Sequence, residues 1–403
     1  MSSVATADCI VIGGGIAGAS VARWLAPHAR TIVLERESQP GYHATGRSAA
    51  LFMESYGNAQ VRALTRASRD FFLQPPAGYS EHPLLTPRGT LFVANHAQRE
   101  QFERHWDVMR SITSNTHRLS PEEACAMVPV LRRELLLGAI LEPEAVDMDV
   151  HALHHGFLRD MRRAGGTLVC DAEVRAIERH GADWRVHAGE AVYQAPVVIN
   201  AAGAWADVVA KMADVRPIGL EPRRRSAFMF APPADVDTQA WPLVFSADED
   251  WYIKPDAGLL LGSPANADPV PPHDVQAEEL DVALAIHRIE EATTLTIRRP
   301  SHTWAGLRSF VADGGLVGGF DDAAPGFFWL AGQGGYGIQT CAAMGEACAA
   351  LARGLPLPDR LAGFGLGAAM LSPARLARQP VAAAPGNAQP QSAASDASIS
   401  APS

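Results

Sequence analysis

Residues 8–35 read DCIVIGGGIAGASVARWLAPHARTIVLE, and the fold turns on how they are read. The run DCIVI is short and apolar and stops at Gly13, Gly14 and Gly15. The next stretch, Ile16 to His28, is rich in small and apolar residues and predicts a helix. TIVLE, residues 31–35, predicts a second buried strand, so that strand, turn, helix and strand form a βαβ unit. Gly13, Gly15 and Gly18 carry the spacing of a dinucleotide-binding turn. The first permits the tight turn, the second lets the backbone approach a pyrophosphate, and the third lets the helix pack on the strand. The helix N-terminus adds free N–H groups and the positive end of its dipole. Glycines at this spacing also occur in ordinary turns. Here a strand precedes them, a helix follows, and Glu35 ends the second strand, where a carboxylate can accept hydrogen bonds from ribose hydroxyls.

Two more buried strands follow, in APVVINAAG (195–203) and GFFWLAG (326–332), each ending in small residues and glycine, Gly203 and Gly332. From the latter, AGQGGYGIQTCAAMGEACAAL (331–351) runs through Gly332, Gly334, Gly335 and Gly337 into a small-residue helix. NAD needs only one helix N-terminus at its pyrophosphate. A flavin gains from a second, because its reduced ring carries negative charge around N1 and O2. Three glycine-bearing strand ends converging on one ligand point to FAD. HATGRSAALFMESYG (43–57) follows the strand that ends in Glu35. Its small residues, Thr45 to Ala50, let the backbone approach a flat ring; Leu51, Phe52, Met53 and Tyr56 are then expected to wall a substrate pocket.

Between these elements lie SAFMFAPP (226–233), WYIKPD (251–256), GLLLGSP (258–264) and HTWAGLRSF (302–310), which predict antiparallel strands, and LDVALAIHRIEEAT (280–293), which predicts a helix. The fold class is α/β: a Rossmann-type FAD-binding domain with an inserted antiparallel-sheet α+β substrate domain. The cofactor domain is discontinuous, at 1–85, 148–220 and 315–375, and the substrate domain takes 86–147 and 221–314. Residues 379–403 are low-complexity Ala, Ser, Pro and Gln and read as a disordered tail.

Composition narrows the function. The chain has 403 residues and a net charge of -10, and no basic run, which argues against nucleic-acid binding. Lys211 and Lys254 are the only lysines. The cysteines, Cys9, Cys125, Cys170, Cys341 and Cys348, form no CxxC pair and predict buried thiols in a reducing compartment, with no metal site. No apolar run approaches the ~18 residues of a membrane span, and the N-terminus lacks a signal-peptide pattern, so a cytoplasmic location is expected. The fourteen histidines are scattered and read as mostly solvated. Neither a Ser-His-Asp set nor an HExxH pattern is visible.

Two arginines stand out. Arg225 follows Arg223 and Arg224 before an apolar strand, and Arg308 lies among apolar neighbours. Arginine clamps carboxylates bidentately. A solvated strand face is the plainer explanation, and it suits Arg223 and Arg224 better than Arg308. Tyr252 can add a hydroxyl to the same carboxylate or sit half-buried in a core; Tyr56 has the same two readings.

Together these residues resemble the D-amino acid oxidase-like flavoenzymes over about residues 8–375, nearest their D-arginine dehydrogenase branch. The specific pieces are GYHATGRSAA (41–50), RRSAF (224–228), GSPANADPV (262–270), TIRRPSHTWAGLRSFVADG (296–314) and QGGYGIQT (333–340). The resemblance implies a non-covalent FAD and oxidation of a D-amino acid, hydride passing from Cα to flavin N5. The imino acid then yields a 2-keto acid and ammonia. It implies that Arg225, Arg308 and Tyr252 hold the carboxylate, that Tyr56 shapes the pocket, and that the Gly335 carbonyl meets the amine. It places FAD contacts on Ala17, Glu35, Arg36, Ala44, Thr45, Gly46, Arg47, Ser48, Ala49, Ala50, Leu51, Val174, Gly334, Gly335, Tyr336, Gly337, Ile338 and Gln339. Thr90 stands where that branch has a glutamate gripping the substrate guanidinium, and Leu51 where it has a histidine, so arginine specificity does not follow. Neutral or hydrophobic side chains are expected instead, unless Glu54, Asp248, Glu249 or Asp250 supplies a charge. The alternatives are a D-arginine/D-lysine dehydrogenase proper, an oxidase of glycine or N-methyl amino acids, a flavoprotein reading nucleic acid, or an FAD-binding protein without turnover. The electron acceptor is open between a quinone and an electron-transfer protein.

Overall fold

A computed structural model describes residues 4–378, and the low-complexity tail lies outside them. The quoted stretch folds as strand Cys9–Ile12, helix Ile16–Leu25 and strand Thr31–Leu34. Pro27 follows the helix and has no N–H to extend its ladder. These strands belong to a six-stranded sheet in the order Thr167–Val169, Thr31–Leu34, Cys9–Ile12, Val197–Asn200, Phe327–Ala331, Val317–Phe320. The first five strands run parallel and the last antiparallel. Ile12 lies opposite Asn200, and Asn200 opposite Trp329, so three glycine-bearing turns leave the same edge of the sheet side by side.

Both faces of this sheet are covered, which is why its strands read as continuous apolar runs. Cys9 and Val11 pack into a layer of helices, among them Ala59–Leu73, Val150–Arg163 and Gly337–Ala352. Ile10 and Ile12 pack into the opposite layer. That layer is a four-stranded sheet of Val4–Thr6, Ala191–Ala195, Asp183–Ala188 and Val174–His180. Small residues bring the helices Ile16–Leu25 and Gly337–Ala352 together: Gly345 lies so close to Ser20 that a Cβ has no room. Ser20 Oγ donates to the Cys341 carbonyl at 2.6 Å.

The inserted segments build a nine-stranded sheet. Its neighbours are antiparallel except Leu243–Ser246 and Thr90–Asn95, which pair in parallel, a departure from the all-antiparallel expectation. Strand Glu221–Phe230 lies beside strand His302–Phe310, with Arg223 opposite Arg308 and Arg225 opposite Gly306. Alternation then sorts the side chains. Phe228, Phe230, Ile253 and Leu260 face a core shared with helix Glu279–Ala292. Arg225, Ala227 and Tyr252 face a cleft between this sheet and the parallel one. A small sheet of Leu51–Phe52, Val146–Met148 and Leu85–Pro87 joins the two bodies.

Candidate active site

The cleft has a cavity volume of about 260 Å³ and runs from Glu35 past the glycine turns to Arg225 and Arg308. Gly13 has φ +104°, and a Cβ there would stand 2.5 Å from the Ala201 carbonyl oxygen. Only glycine holds that turn without strain. Gly15 caps helix Ile16–Leu25 with no side-chain hydrogen bond and no acid in the first turn. The Ile16 N–H donates to Thr45 Oγ1 at 3.0 Å, which anchors the loop after Glu35 at this helix end. The buried Glu35 carboxylate accepts the Gly14 N–H at 2.8 Å and the Glu37 N–H at 2.9 Å, fixing it at the cleft wall. Helix Gly337–Ala352 opens on the same cleft, again with no side-chain cap and no acid in its first turn. Two positive dipole ends without an acid in their first turns thus face one cavity.

The expected cofactor residues fall into two groups. Gly13, Gly15, Ala17, Glu35, Arg36, Ala44, Thr45, Arg47, Ser48, Ala49, Val174, Gly203, Gly334, Gly335, Gly337 and Ile338 line the cleft. Six others do not. Gly18 has no room for a Cβ against the Gly13 carbonyl, and Gly46 N–H bonds the Gly41 carbonyl at 2.8 Å. Ala50 packs on the helical core, and Leu51 pairs with Asp147 in the joining sheet. Gln339 is buried between Thr65 and Met53, and Tyr336 turns its ring toward Tyr56, centroids 4.9 Å apart. The bulky wall expected after this loop is also revised. Phe52 is 3% exposed and packs edge-on against Phe72 in the core. An apolar cluster of Ala227, Met229 and Leu261 packs behind Tyr252 and Ala49, and of the three only Ala227 reaches the cleft.

Sequence reasoning missed several wall residues: Tyr42, His43, Trp205 and Met212. It also missed His154, which is 3% exposed and bonds the Gly14 carbonyl through Nε2 at 2.7 Å. Burial pushes its pKa down to about 4, so it is a neutral donor rather than a solvated ring. Nothing in its local pattern separates it from the neighbouring His151 and His155; only the tertiary contact does.

At the far end of the cleft, Arg225, Arg308, Tyr252 and Gly335 come together. Arg308 lies against Gly335, where a Cβ would meet its Nη1 at 3.1 Å. The turn that holds Gly335 hooks onto the arginine strand through the Gly334 N–H and the Ser309 carbonyl, at 2.8 Å. Arg225 donates its Nε–H to the Asn266 carbonyl at 2.6 Å. Burial, and next the charge of Arg308, push its pKa down to about 10. Its neighbours Arg223 and Arg224 form ion pairs, with Glu221 at 2.6 Å and with Asp281 at 3.0 Å. Among the described residues neither Arg225 nor Arg308 has a carboxylate partner, so two like charges lie side by side facing open space. Tyr56 stands off the wall, partly exposed, edge-on to Tyr336. Burial, then Tyr56, push the Tyr336 phenol up to about 12, which keeps it protonated.

The candidate acids also separate. Glu54 pairs with Arg69 at 2.6 Å, and Asp250 pairs with Arg288 at 3.2 Å. Asp248 accepts from Gln98 at 2.6 Å. Glu249, at φ +51°, makes no ion pair among the described residues, and its charge acts on both Arg225 and Tyr336. Thr90 is buried opposite Glu142, a buried acid bonded to Ser55 Oγ at 2.7 Å whose pKa burial raises.

These residues fit an elongated dinucleotide cofactor bearing a flat ring. The two helix ends suit phosphate and ring anions, Glu35 suits a ribose, and the small residues Ala44, Thr45, Ser48 and Ala49 leave room for a ring next to the arginines. Known proteins agree. The chain is 26% identical over 223 residues to mitochondrial sarcosine dehydrogenase of Homo sapiens, covering 52% of this chain. It spans only about a quarter (24%) of the length of that relative. The fold matches glycine oxidase from Geobacillus kaustophilus with a TM-score of 0.77 at 22% identity, covering 87% of this chain and 96% of that one. It matches L-α-glycerophosphate oxidase from Mycoplasma pneumoniae, a structure with FAD bound, with a TM-score of 0.77 at 18% identity, covering 86% and 95%. Residues 8–351 match the family described as DAO, FAD dependent oxidoreductase; the chain belongs to this family, and its cofactor is FAD.

Proposed function

We propose that this protein oxidises a D-amino acid to its imino acid, which water converts to a 2-keto acid and ammonia. One observation carries the reading: Arg225 and Arg308 lie together in the cleft, and among the described residues neither has a carboxylate of its own. An anion bound there relieves their repulsion, and a carboxylate matches their planar donors. Tyr252, on the same wall, adds a hydroxyl. Gly335 lies beside Arg308, and its carbonyl would accept from the substrate amine. FAD would be held by the glycine turns, Glu35 and the two helix N-termini, and would supply the acceptor for a hydride from Cα. D-handedness and the nearness to the D-arginine dehydrogenase branch rest on the resemblance of GYHATGRSAA, GSPANADPV and QGGYGIQT. We assign residues 1–85, 148–220 and 315–375 to the cofactor domain and 86–147 with 221–314 to the substrate domain. Ala227 and Ala49 on the cleft wall, and Thr90 where the resembled branch has a glutamate, favour neutral or hydrophobic side chains.

The setting we propose is cytoplasmic: all five cysteines are free, and among the described residues no helix is long and apolar enough to cross a membrane. A quinone or an electron-transfer protein would take the electrons onward. A second reading, oxidation of glycine or an N-methyl amino acid, draws support from the likeness to sarcosine dehydrogenase and glycine oxidase. The test is anaerobic bleaching of the FAD-loaded protein by the amino acids in both hands, with glycine and sarcosine included. Bleaching by D-amino acids alone supports the first reading; bleaching by glycine or sarcosine alone supports the second; bleaching by none overturns both.

A further inference from the structure

The stretch GSPANADPV (262–270) lies outside the catalytic roles above, yet its middle residue touches the clamp. We infer that Asn266 is a positioning residue that aims the Arg225 guanidinium at the substrate carboxylate. The inference rests on the carboxylate reading of Arg225 and Arg308.

The Asn266 carbonyl takes the Arg225 Nε–H at 2.6 Å. With Nε occupied, both Nη groups of Arg225 lack a protein partner among the described residues and are left for a ligand. The Asn266 side chain is itself fixed at three points. Its Oδ1 accepts the Ser226 N–H at 2.8 Å. Its Nδ2 donates to Asp268 Oδ2 at 2.7 Å and to Asp281 Oδ2 at 2.9 Å. Asp281 also takes Arg224 Nε and Ser226 Oγ, each at 3.0 Å, so it gathers donors from both residues that flank Arg225. The preceding Ala265 has φ +50°, a left-handed conformation costly for a residue with a Cβ. Ser263 helps to hold it there: its Oγ accepts the Ala265 N–H at 3.1 Å and donates to the Ser226 carbonyl at 2.7 Å. The strained turn and the amide lock together direct one carbonyl at one guanidinium. They also solve an electrostatic problem. Arg225 is crowded by Arg308, and a carboxylate in direct contact would compete with the substrate. A carbonyl is a neutral acceptor, and the acids Asp268 and Asp281 stand one residue further back, on Asn266 and Arg224.

The experiment is equilibrium dialysis of labelled propionate, a carboxylate without an amine, against FAD-loaded protein. Four forms are compared: wild type, Asn266→Ala, Arg225→Met and the double variant. Asn266→Ala is expected to weaken propionate binding roughly tenfold or more, and to add less than about twofold once Arg225 is methionine. Asn266→Asp keeps the acceptor for the Ser226 N–H and crowds Asp268 and Asp281. It should show the same loss of propionate binding and serves if the alanine variant does not fold. Wild-type affinity in the Asn266 variants, or a loss that persists undiminished beside Arg225→Met, overturns the positioning role while leaving the carboxylate reading intact. Wild-type affinity in Arg225→Met overturns that reading and the inference with it.

Discussion

At Arg308 the cleft brings a guanidinium against Gly335 with no acid of its own. Replacing it leaves the substrate carboxylate desolvated and short of a partner, which costs about 2–5 kcal/mol. Arg308→Met should therefore lower kcat/KM at least about 30-fold while the protein keeps its FAD. Steady-state kinetics beside the visible flavin spectrum would check this, and near wild-type kinetics would remove Arg308 from the clamp. His154 makes a prediction about pH. Its pKa is about 4 when folded against an ordinary 6.5, because burial opposes its charge. Between those values the unfolded chain takes up a proton that the folded one refuses, so stability falls as pH drops from 6.5 to 4, by up to about 3 kcal/mol. His154→Gln keeps a donor for the Gly14 carbonyl and cannot titrate, so its melting temperature should fall less than wild type from pH 7 to pH 4. Parallel falls in thermal unfolding would show that His154 contributes nothing to acid sensitivity.

At the scale of elements, the helices Ile16–Leu25 and Gly337–Ala352 carry the two N-termini that face the cofactor, and they meet at Ser20 and Gly345. A Cβ at 345 forces them apart. Gly345→Ala should destabilise the fold by about 1–3 kcal/mol and loosen FAD, read as an earlier thermal release of flavin fluorescence. An unchanged release temperature would show that the pair can yield locally. Elements such as these were legible wherever the pattern was pure. The apolar runs before Gly13, Gly203 and Gly332 are buried on both sides, and HTWAGLRSF became strand His302–Phe310 to the residue. The meander from Val174 to Ala195 and the helices Ala59–Leu73 and Arg99–Ile112 went unread. Helix Arg99–Ile112 buries only Phe102 and Met109, and helix Ala59–Leu73 buries Gln60, Thr65 and Ser68 among its apolar residues, so neither shows a clean apolar period. That Arg225 and Arg308 face the cleft was legible from their apolar flanks. The turn that aims Arg225 was not, because the positive φ at Ala265 and the hydrogen bonds of Asn266 belong to tertiary structure.

For the molecule as a whole, the parallel sheet brings glycine turns and helix ends to the cleft and the larger sheet brings its arginine face, which on the proposed reading takes the substrate. Side-chain preference follows from what borders that face. Neutral and hydrophobic D-amino acids such as D-Leu, D-Met and D-Phe should exceed D-Arg and D-Lys in kcat/KM. The competing influence is Glu249, the acid left unpaired near Arg225 and Tyr336. Thr90→Glu tests the argument, but Glu142 stands directly across the strands, and facing carboxylates would repel. Thr90→Glu with Glu142→Gln is therefore the informative variant, and it should shift preference toward D-Arg. If the unaltered protein already prefers D-Arg by about tenfold or more, a gap of ~1.4 kcal/mol, the cleft holds a negative charge that Thr90 does not replace.

The parallel sheet gathers strands from residue 9 to residue 331, and Phe327–Ala331 lies between two others. A ribosome that has delivered only the first 310 residues has therefore released Cys9–Ile12, Thr31–Leu34 and Val197–Asn200 with one flank still bare. It has released neither Gly334 nor the helix that begins at Gly337. Pairing between such distant segments is slow, because the intervening loop must close first. FAD capture is thus deferred until Phe327–Ala331 and the helix after it have emerged, and a chain cut at residue 310 should emerge colourless and prone to aggregate along that open edge.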